Sequence, residues 1–459
     1  MIFSFPYWLY LHWFTFSVDF QMTLDNDIAS NLPLLVDHLA HLHIQEASVC
    51  STSANLSVSS AAETQVEGNE ATDSLNAISS HFSIKPTKYG GRGCFANSDL
   101  SQDTIVHECS LPLSSTIARP FKKEVCEFCL TFSHGKTLKF KLMLPDTSAS
   151  SLALYFCSQA CMNKFIALDV DSLYLESLLR VESLFIKGLT QRQYDLERMQ
   201  EEEDAETEAV LKLENELKQA TDMELFISQK WQEAETVCQL ALSKLKPKQR
   251  QNFNNLRNLI PKISEQEYLE MKYIIGVLFQ MYKQDNCSNN ELASSMSSST
   301  LELQIFPLLQ SNDIEKCSKY PCLLHSYIRI YKFLRISTLD KLQRYVTPSG
   351  IRSIIAKMLT NAFGIWSTDI PNVERELLGY SLYASASFFN HSCRPNVIHT
   401  RVGARIIFKL LKNVRKNEEL LISYIPYNND GRETRQNDLK EWFFDCSCER
   451  CVEEKKLKM

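Results

Sequence analysis

The sequence predicts an α+β protein with two strand-rich stretches, which are separated by a cysteine-rich stretch and a long helical stretch. Short alternating runs typical of strands occur at residues 81–121 and again at 346–428. Helical spacing with many charged residues dominates residues 166–345. Closely spaced cysteines occur at 122–165 and at 429–459, which predicts two small metal-stabilised segments.

Composition narrows the classes of function. The chain has 459 residues, enough for two to four domains. Its net charge of −6 disfavours direct nucleic-acid binding, because phosphate contacts need a basic surface. Its 15 cysteines, several in short-spaced pairs, favour zinc thiolates in a reducing compartment over a disulfide framework. We therefore expect a protein of the nucleus, the cytoplasm or both.

Residues 1–80 combine an apolar leader with a flexible linker rich in Ser, Thr and Glu. The leader has neither the basic start nor the cleavage site of a signal peptide. It contains Pro6 and stops at Asp19, which makes it short for a membrane span. We expect a dispensable leader with Met22 as the working start and no stable membrane association; a membrane or interfacial anchor is the alternative.

The strands and helices can be placed in chain order. The runs HFSIKP and TIVHEC predict strands, and the glycine-rich KYGGRGCFA separates them. The apolar residues Val210, Leu213 and Leu217 show the spacing of a helix. NVIHTRVGARIIFKLL predicts a hairpin that turns at Gly403, and ELLISYI predicts a following strand. A last helix is predicted at 432–442.

The first cysteine cluster predicts a structural zinc site. Cys126-x2-Cys129 and Cys157-x3-Cys161 offer four thiolates in two chelating pairs. Four soft ligands with no open position suit tetrahedral zinc, at about 2.3 Å per Zn–S bond, rather than a catalytic metal. Buried free cysteines are the alternative, which two close pairs disfavour.

The second cluster, Cys446-x-Cys448-x2-Cys451, supplies three cysteines. A tetrahedral site would need a fourth ligand from elsewhere in the chain. Spacing alone does not choose among the remaining cysteines.

Two further segments carry candidate chemistry. Gly91-Arg92-Gly93 follows a predicted strand, and glycines let a backbone approach a ligand closely. A plain turn is the alternative, whereas a dinucleotide site or P-loop lacks the required spacing. The segment SFFNHSCRPN, residues 387–396, packs polar residues between aromatic ones. A Cys/His protease dyad is disfavoured because adjacent residues seldom point at one another.

Together, G-x-G-x-F, NHSCRPN, EELLISYI and the terminal C-x-C-x2-C, in this order, resemble the SET- and MYND-domain lysine methyltransferases, particularly their short fungal-type members. The resemblance covers roughly residues 82–165 and 346–455. The run YFCSQAC resembles a MYND finger, but no second cysteine pair lies between Cys129 and Cys157, so we expect a reduced finger with one zinc. The resemblance implies a SET fold in two parts, 81–121 and 346–428, a MYND-like finger at 122–165, a helical insertion at 166–345 and a post-SET zinc segment at 429–459.

The resemblance also implies a methyl donor, S-adenosylmethionine, and an acceptor lysine on a protein substrate. The donor contacts that it implies are Gly91, Arg92, Gly93, Ser387, Asn390, His391, Tyr424 and Phe444. Phe444 would stack on adenine, Tyr424 and His391 would take part in catalysis, and Phe363 would line the lysine channel. Cys393 would join Cys446, Cys448 and Cys451, which gives two structural zinc ions per chain.

The leading interpretation is therefore a protein-lysine N-methyltransferase, expected to be a monomer. The alternative is a catalytically inactive SET/MYND-like scaffold for protein–protein interaction. Asn390, His391 and Tyr424 argue against the scaffold, because an inactive protein is free to lose them. A zinc-finger nucleic-acid binder is a third interpretation, which the acidic net charge disfavours.

Overall fold

The structure is a computed structural model. It describes residues 75–143, 153–192, 196–250, 255–256, 259–287, 298–368, 376–425, 431–442 and 444–457. The predicted leader, most of the linker and the Met22 start lie outside the described residues.

Strands and helices occur in separate runs along the chain, as the α+β prediction requires, and that fold class is confirmed. The strands are β1 Phe82–Pro86, β2 Arg92–Ala96, β3 Ile105–Cys109, β4 Ser114–Ile117, β5 Phe140–Leu142, β6 Leu154–Phe156, β7 Phe363–Trp366, β8 Leu377–Leu382, β9 Asn390–His391, β10 Val397–Val402, β11 Arg405–Leu410 and β12 Glu419–Ile422. The helices are α1 Gln159–Leu168, α2 Leu173–Arg192, α3 Leu196–Gln219, α4 Met223–Ser243, α5 Pro247–Arg250, α6 Glu265–Cys287, α7 Ser298–Ile305, α8 Asp313–Lys319, α9 Pro321–Ser337, α10 Asp340–Gln343, α11 Pro348–Asn361, α12 Arg432–Leu439 and α13 Glu449–Leu457.

One sheet brings distant parts of the chain together in the order β1-β2-β12-β9. β2 pairs antiparallel with β1 and with β12. β12 pairs parallel with β9, so that Leu421 lies opposite Asn390 and Ile422 opposite His391. The glycine cluster at the start of β2 and the Asn-His segment of β9 therefore flank the same strand.

The predicted hairpin at Gly403 is confirmed. β10 and β11 pair antiparallel, and β3 joins them in a second sheet, β10-β11-β3. Along β11, Ile406, Phe408 and Leu410 are buried and alternate with more exposed residues, as a half-buried strand requires. Gly403 has φ +63°, a left-handed conformation that suits a tight turn.

The predicted strand ELLISYI is shorter than expected, because β12 ends at Ile422. The backbone leaves the sheet where the Tyr424 N–H donates to His391 Nδ1, 2.9 Å away, rather than to a neighbouring strand. Ser423 Oγ donates to the Ile425 carbonyl, 2.8 Å away, and holds the turn that follows. The strand end thus places Tyr424 beside His391.

The helical insertion contains a helix that belongs to the core. α6 packs on α2 and on β4 of a third sheet, β4-β8-β7, and residues 268–279 of α6 are buried on all sides. At Gly276 a Cβ atom would lie 2.1 Å from Ser114 Oγ, so only glycine permits this approach of helix to strand. Ser114 Oγ donates to the Tyr273 carbonyl, 2.7 Å away, at the same contact.

The cysteine-rich finger docks on the β10–β11 hairpin. The Arg401 guanidinium donates to the Leu130 carbonyl, 3.3 Å away, and to the Trp366 carbonyl, 2.9 Å away. A Cβ atom on Gly403 would lie 2.8 Å from the carbonyl oxygen of Cys129. These contacts fix the finger to the sheet. Among the described helices, none is long and apolar enough to span a bilayer.

Candidate active site and metal centres

The candidate site forms where β2, β12 and β9 meet. Asn390 Nδ2 donates to Glu419 Oε1 on β12, 2.9 Å away, and to the Arg92 carbonyl on β2, 3.1 Å away. One amide thus ties together the three strands that carry the predicted donor contacts. The sheet order explains why residues about 300 positions apart in sequence come into hydrogen-bond distance.

The glycine cluster forms a cradle, and at Gly93 this cradle has no room for a side chain. A Cβ atom on Gly93 would lie 2.5 Å from Glu419 Oε1 and 2.7 Å from Asn390 Nδ2. Gly91 has φ +69°, and a Cβ atom there would meet the Gln310 side chain at 3.4 Å. This surface of bare backbone fits the predicted contact with a small-molecule donor.

Gly93→Ala should weaken donor binding roughly 5- to 150-fold, the range that follows from about 1–3 kcal/mol for overpacking. The added methyl group must displace Asn390 or Glu419. Calorimetric titration with S-adenosylmethionine measures the effect. Gly188→Ala, on α2 with open space around it, is the matched control and should leave binding unchanged. Unaltered affinity in Gly93→Ala would remove the cradle from the donor site.

The Arg92 side chain points to the helical insertion. Its guanidinium donates to the Leu308 carbonyl and lies 5.3 Å from the centre of the Phe388 ring. The Arg92 side chain thus lies between the glycine cluster and the helical insertion. Its predicted contact with the donor stays a prediction.

His391 links the candidate site to the second cysteine cluster. Its Nδ1 accepts from the Tyr424 N–H, so the ring proton belongs on Nε2, which lies 3.3 Å from Cys393 Sγ. Burial lowers the pKa of His391 to about 4. The ring is therefore neutral near pH 7 and acts as a bridge between Tyr424 and Cys393.

Tyr424 is a buried hydrogen-bond donor at the end of β12. Its hydroxyl donates to the Phe389 carbonyl, 2.9 Å away. Its ring lies 5.8 Å from Trp442 and 6.4 Å, edge to face, from Phe444. Burial, with smaller contributions from Cys94 and Glu419, raises the pKa of Tyr424 above its usual value. The phenol therefore stays protonated and cannot act as a base near neutral pH.

Phe444 is brought to the same place from the end of the chain. Its ring lies 6.2 Å from His391, and 37% of the residue is exposed. An aromatic face that is partly open, two residues before Cys446, is suited to stacking on a planar base. Its assignment to adenine stays a prediction.

Ser387 directly follows the 3-10 turn Ala384–Ala386, and Phe363 is the first residue of β7. Ser387 Oγ donates to the Tyr383 carbonyl, 3.1 Å away. Phe363 is buried and packs edge to face on Phe408, which stacks on Phe389 at 4.5 Å. Phe363 is thus connected to Tyr424 through two other phenylalanines, and its predicted place in a lysine channel stays a prediction.

The sequence did not predict that part of the helical insertion contacts the glycine cluster of the candidate site. Leu308 and Gln310 follow α7 and face Arg92 and Gly91. Asn361 Nδ2 donates to the Gln310 carbonyl, 2.9 Å away, and holds this stretch in place. No motif marks these residues, because their contacts with β2 span more than 200 positions.

Glu302 on α7 also reaches the site. It accepts hydrogen bonds from the backbone N–H of Ser385, 3.0 Å away, and from the Ser385 hydroxyl. Burial raises the pKa of Glu302 to about 7, although the hydrogen bonds from Ser385 oppose this.

The four cysteines of the first predicted zinc site come together in the finger. Their sulfur atoms all lie within 4.8 Å of one another, and Cys157 Sγ is 3.5 Å from the sulfur atoms of both Cys129 and Cys161. Tetrahedral zinc with bonds of about 2.3 Å places its sulfur ligands about 3.8 Å apart. Ser158 caps α1 by accepting from the Cys161 N–H, which orients one of the ligands. The predicted set is Cys126, Cys129, Cys157 and Cys161.

The second cluster includes the residue that spacing alone left open. Cys393 Sγ lies 3.8 Å from Cys446 Sγ and 3.6 Å from Cys451 Sγ, and Cys448 completes the group. Gln436 on α12 exchanges two hydrogen bonds with the backbone of Cys446, at 2.7 and 2.9 Å. Within the described ranges, these two groups are the cysteine clusters that could hold a metal ion.

Each cluster favours at least one thiolate. Hydrogen bonding from Cys126 lowers the pKa of Cys129 to about 4. Hydrogen bonds from Cys393 and Cys446 likewise lower the pKa of Cys448 below its usual value. Thiolates are the form that binds zinc, so both donor sets fit the ion.

We expect two zinc ions per chain, one in each cluster. Elemental analysis of the purified full chain, together with its protein concentration, measures this ratio. Three or more zinc ions, or none, would contradict the assignment.

Comparison with known proteins agrees with the geometry. The SET domain matches residues 91–425 of this chain. The potential protein lysine methyltransferase SET6 of Saccharomyces cerevisiae is 28% identical over 396 residues, which cover 83% of this chain and 97% of that protein. A SET and MYND domain-containing protein of Dictyostelium discoideum is 40% identical over 101 residues, 22% of this chain and 25% of its own length. The histone-lysine N-methyltransferase SMYD3 of Homo sapiens is 32% identical over 96 residues, 21% of each chain. Since the matched region spans most of the sequence, this chain belongs to the SET-domain family.

Proposed function

We propose that this protein is an S-adenosylmethionine-dependent protein-lysine N-methyltransferase. The observation that carries the proposal is the meeting of Gly93, Asn390, His391 and Tyr424 at one end of a single sheet. A relative that matches 83% of this chain is named a potential protein lysine methyltransferase, and one that matches 96 residues is named a histone-lysine N-methyltransferase. Both names support the same activity.

The donor would lie along the cradle of β2. Gly91 and Gly93 would receive its methionyl end, Asn390 and His391 would contact it from β9, and Phe444 would stack on its adenine. When bound, the donor supplies an electrophilic methyl group on a sulfonium centre. The protein's contribution is to hold the methyl donor and the lysine amine in line. The entropy cost of bringing the two reactants together is then met on binding and not in the reaction step.

The acceptor lysine must lose its proton before it can react, although its usual pKa is about 10.4. A channel lined by aromatic residues removes water from the ammonium group and lowers that pKa. The carbonyl of Phe389 already accepts the hydrogen bond of Tyr424, so the phenol oxygen has lone pairs free to orient an amine or a methyl group. Tyr424 would therefore position the reacting groups without removing the proton itself.

Incubation of the purified full chain with tritiated donor and a whole-proteome peptide array tests the proposal. Transfer of label to lysine-containing peptides, abolished when the lysine is replaced by arginine, is the expected result. Donor binding without transfer would favour the inactive scaffold instead. Failure to bind the donor at all would overturn the proposal.

We further propose that the protein acts as a monomer in the nucleus, the cytoplasm or both, without direct binding to nucleic acid or membranes. Five cysteines outside the two clusters are free thiols, which suits a reducing compartment: Cys94, Cys109, Cys238, Cys317 and Cys322. The net charge of −6 supports a protein substrate over a nucleic acid.

A further inference from the structure

The helical insertion touches the candidate donor site at three points along one short stretch. This stretch, residues 302–310, is called here the clamp segment. Glu302 contacts Ser385, Leu308 accepts from Arg92, and the Gln310 side chain faces Gly91. Two of the contacts fall on predicted donor-binding residues, Arg92 and Gly91, and the third falls on Ser385, two residues before Ser387. The helical insertion thus forms one side of the candidate donor site.

Glu302 makes the most buried of these contacts. Glu302 is 2% exposed and Ser385 is 1% exposed. The carboxylate accepts from both the backbone N–H and the hydroxyl of Ser385, which belongs to the 3-10 turn Ala384–Ala386. That turn leads directly into Ser387 and Asn390.

The other partners of Ser385 complete a closed network. His107 Nε2 lies 3.0 Å and Cys109 Sγ lies 3.3 Å from Ser385 Oγ, both from β3. The network is not a nucleophilic triad, because the carboxylate contacts the serine rather than the histidine. With Ser385 buried, a substrate could not reach its hydroxyl. The network holds the Ala384–Ala386 turn in place through contacts with α7 on one side and with β3 on the other.

We propose that Glu302 is a positioning residue of the methyl-donor site, whose carboxyl group holds the Ala384–Ala386 turn so that Ser387 and Asn390 face the donor. The inference rests on the proposed function and deepens it. Without Glu302, the Ser385 N–H would be buried without its acceptor, and such a group costs free energy until the turn moves. A donor that binds only the ordered turn then binds in proportion to the fraction of molecules in which the turn is ordered.

Glu302→Ala should therefore raise the donor Kd and the donor KM by about tenfold, while kcat at saturating donor stays within about twofold of wild type. Glu302→Gln keeps one oxygen to accept from the Ser385 N–H, and its NH2 group can donate to the hydroxyl. We expect the glutamine variant to restore donor KM to within about threefold of wild type. A role in stability alone would lower the melting temperature without this split between KM and kcat.

Glu270→Ala is the matched control. Glu270 is also a buried glutamate of the insertion, on α6, where its side chain accepts from Gln266 Nε2 at 3.2 Å. The control should lose stability with donor KM unchanged. An equal rise in KM in both alanine variants, or an unchanged KM in Glu302→Ala, would overturn the proposal.

Wild-type donor binding is measured first by calorimetry. If the wild type binds no donor, the proposed function and this inference fall together; if it binds and Glu302→Ala binds equally well, only the inference falls. If Glu302→Ala does not fold, Glu302→Asp is used to test the proposal. The shorter aspartate side chain cannot accept from both the backbone N–H and the hydroxyl of Ser385. A raised donor KM at retained kcat supports the proposal, and an unchanged KM contradicts it.

Discussion

Tyr424→Phe should lower turnover roughly 100- to 1,000-fold while leaving donor affinity nearly unchanged. Loss of one well-placed hydrogen-bonding group in a transition state typically costs about 2.7–4 kcal/mol. Most of the predicted donor contacts lie elsewhere, for example at Gly93, Asn390 and Phe444, so the deleted oxygen should matter for the rate far more than for binding. The phenol stays protonated because burial raises its pKa, so the variant does not remove a base.

Single-turnover rates and calorimetric donor titrations on the same preparation measure the two effects separately. Tyr331→Phe is the matched control. Tyr331 is fully buried in the helical insertion and donates to Glu235, so its loss should cost stability and leave both constants near wild type. Normal turnover in Tyr424→Phe would remove Tyr424 from the mechanism and leave it as a packing residue at the end of β12.

The parts of the site that could be predicted from sequence are those marked by local patterns. The turn at Gly403 follows from two alternating runs around a glycine, and the finger cluster follows from two close cysteine pairs. Cys393 could be assigned only through the family resemblance, because it lies more than 50 positions from its partners. The structure places it beside them because parallel pairing of β9 with β12 fixes the segment that carries it.

The clamp segment could not be predicted in this way. The segment that contains Glu302, Leu308 and Gln310 has no glycine, cysteine or histidine that would mark it as part of a site. Their contacts with Ser385, Arg92 and Gly91 depend on how the insertion packs against the sheet, which is a long-range property. The end of β12 was missed for a similar reason. Apolar residues continue past Ile422, but a side chain, His391, takes the backbone hydrogen bond of Tyr424.

The second cysteine cluster should matter for donor binding as well as for folding of the chain end. Cys448→Ser should remove one of the two expected zinc ions and weaken donor binding roughly 5- to 150-fold, the range that follows from about 1–3 kcal/mol for stacking of a base on an aromatic ring. The physical reason is that two predicted donor contacts lie next to the cysteines of this cluster. Phe444 lies two residues before Cys446, and Cys393 lies two residues after His391. Zinc at this cluster would therefore hold the aromatic face and the histidine against each other.

Zinc content and donor affinity should be measured on Cys448→Ser beside Cys157→Ser as its counterpart in the finger. Cys157→Ser should also lose one zinc ion, but the finger docks on the β10–β11 hairpin through Arg401, away from β2 and β9, so donor affinity should stay near wild type. Equal losses of affinity in the two variants would show a general loss of folding. Full zinc content in Cys448→Ser, or unchanged donor affinity after loss of that zinc, would mean that the cluster does not hold Phe444 over the donor. A selective loss in Cys448→Ser alone identifies the post-SET zinc as part of the donor site, because the metal then acts through the two residues that it fixes beside Tyr424.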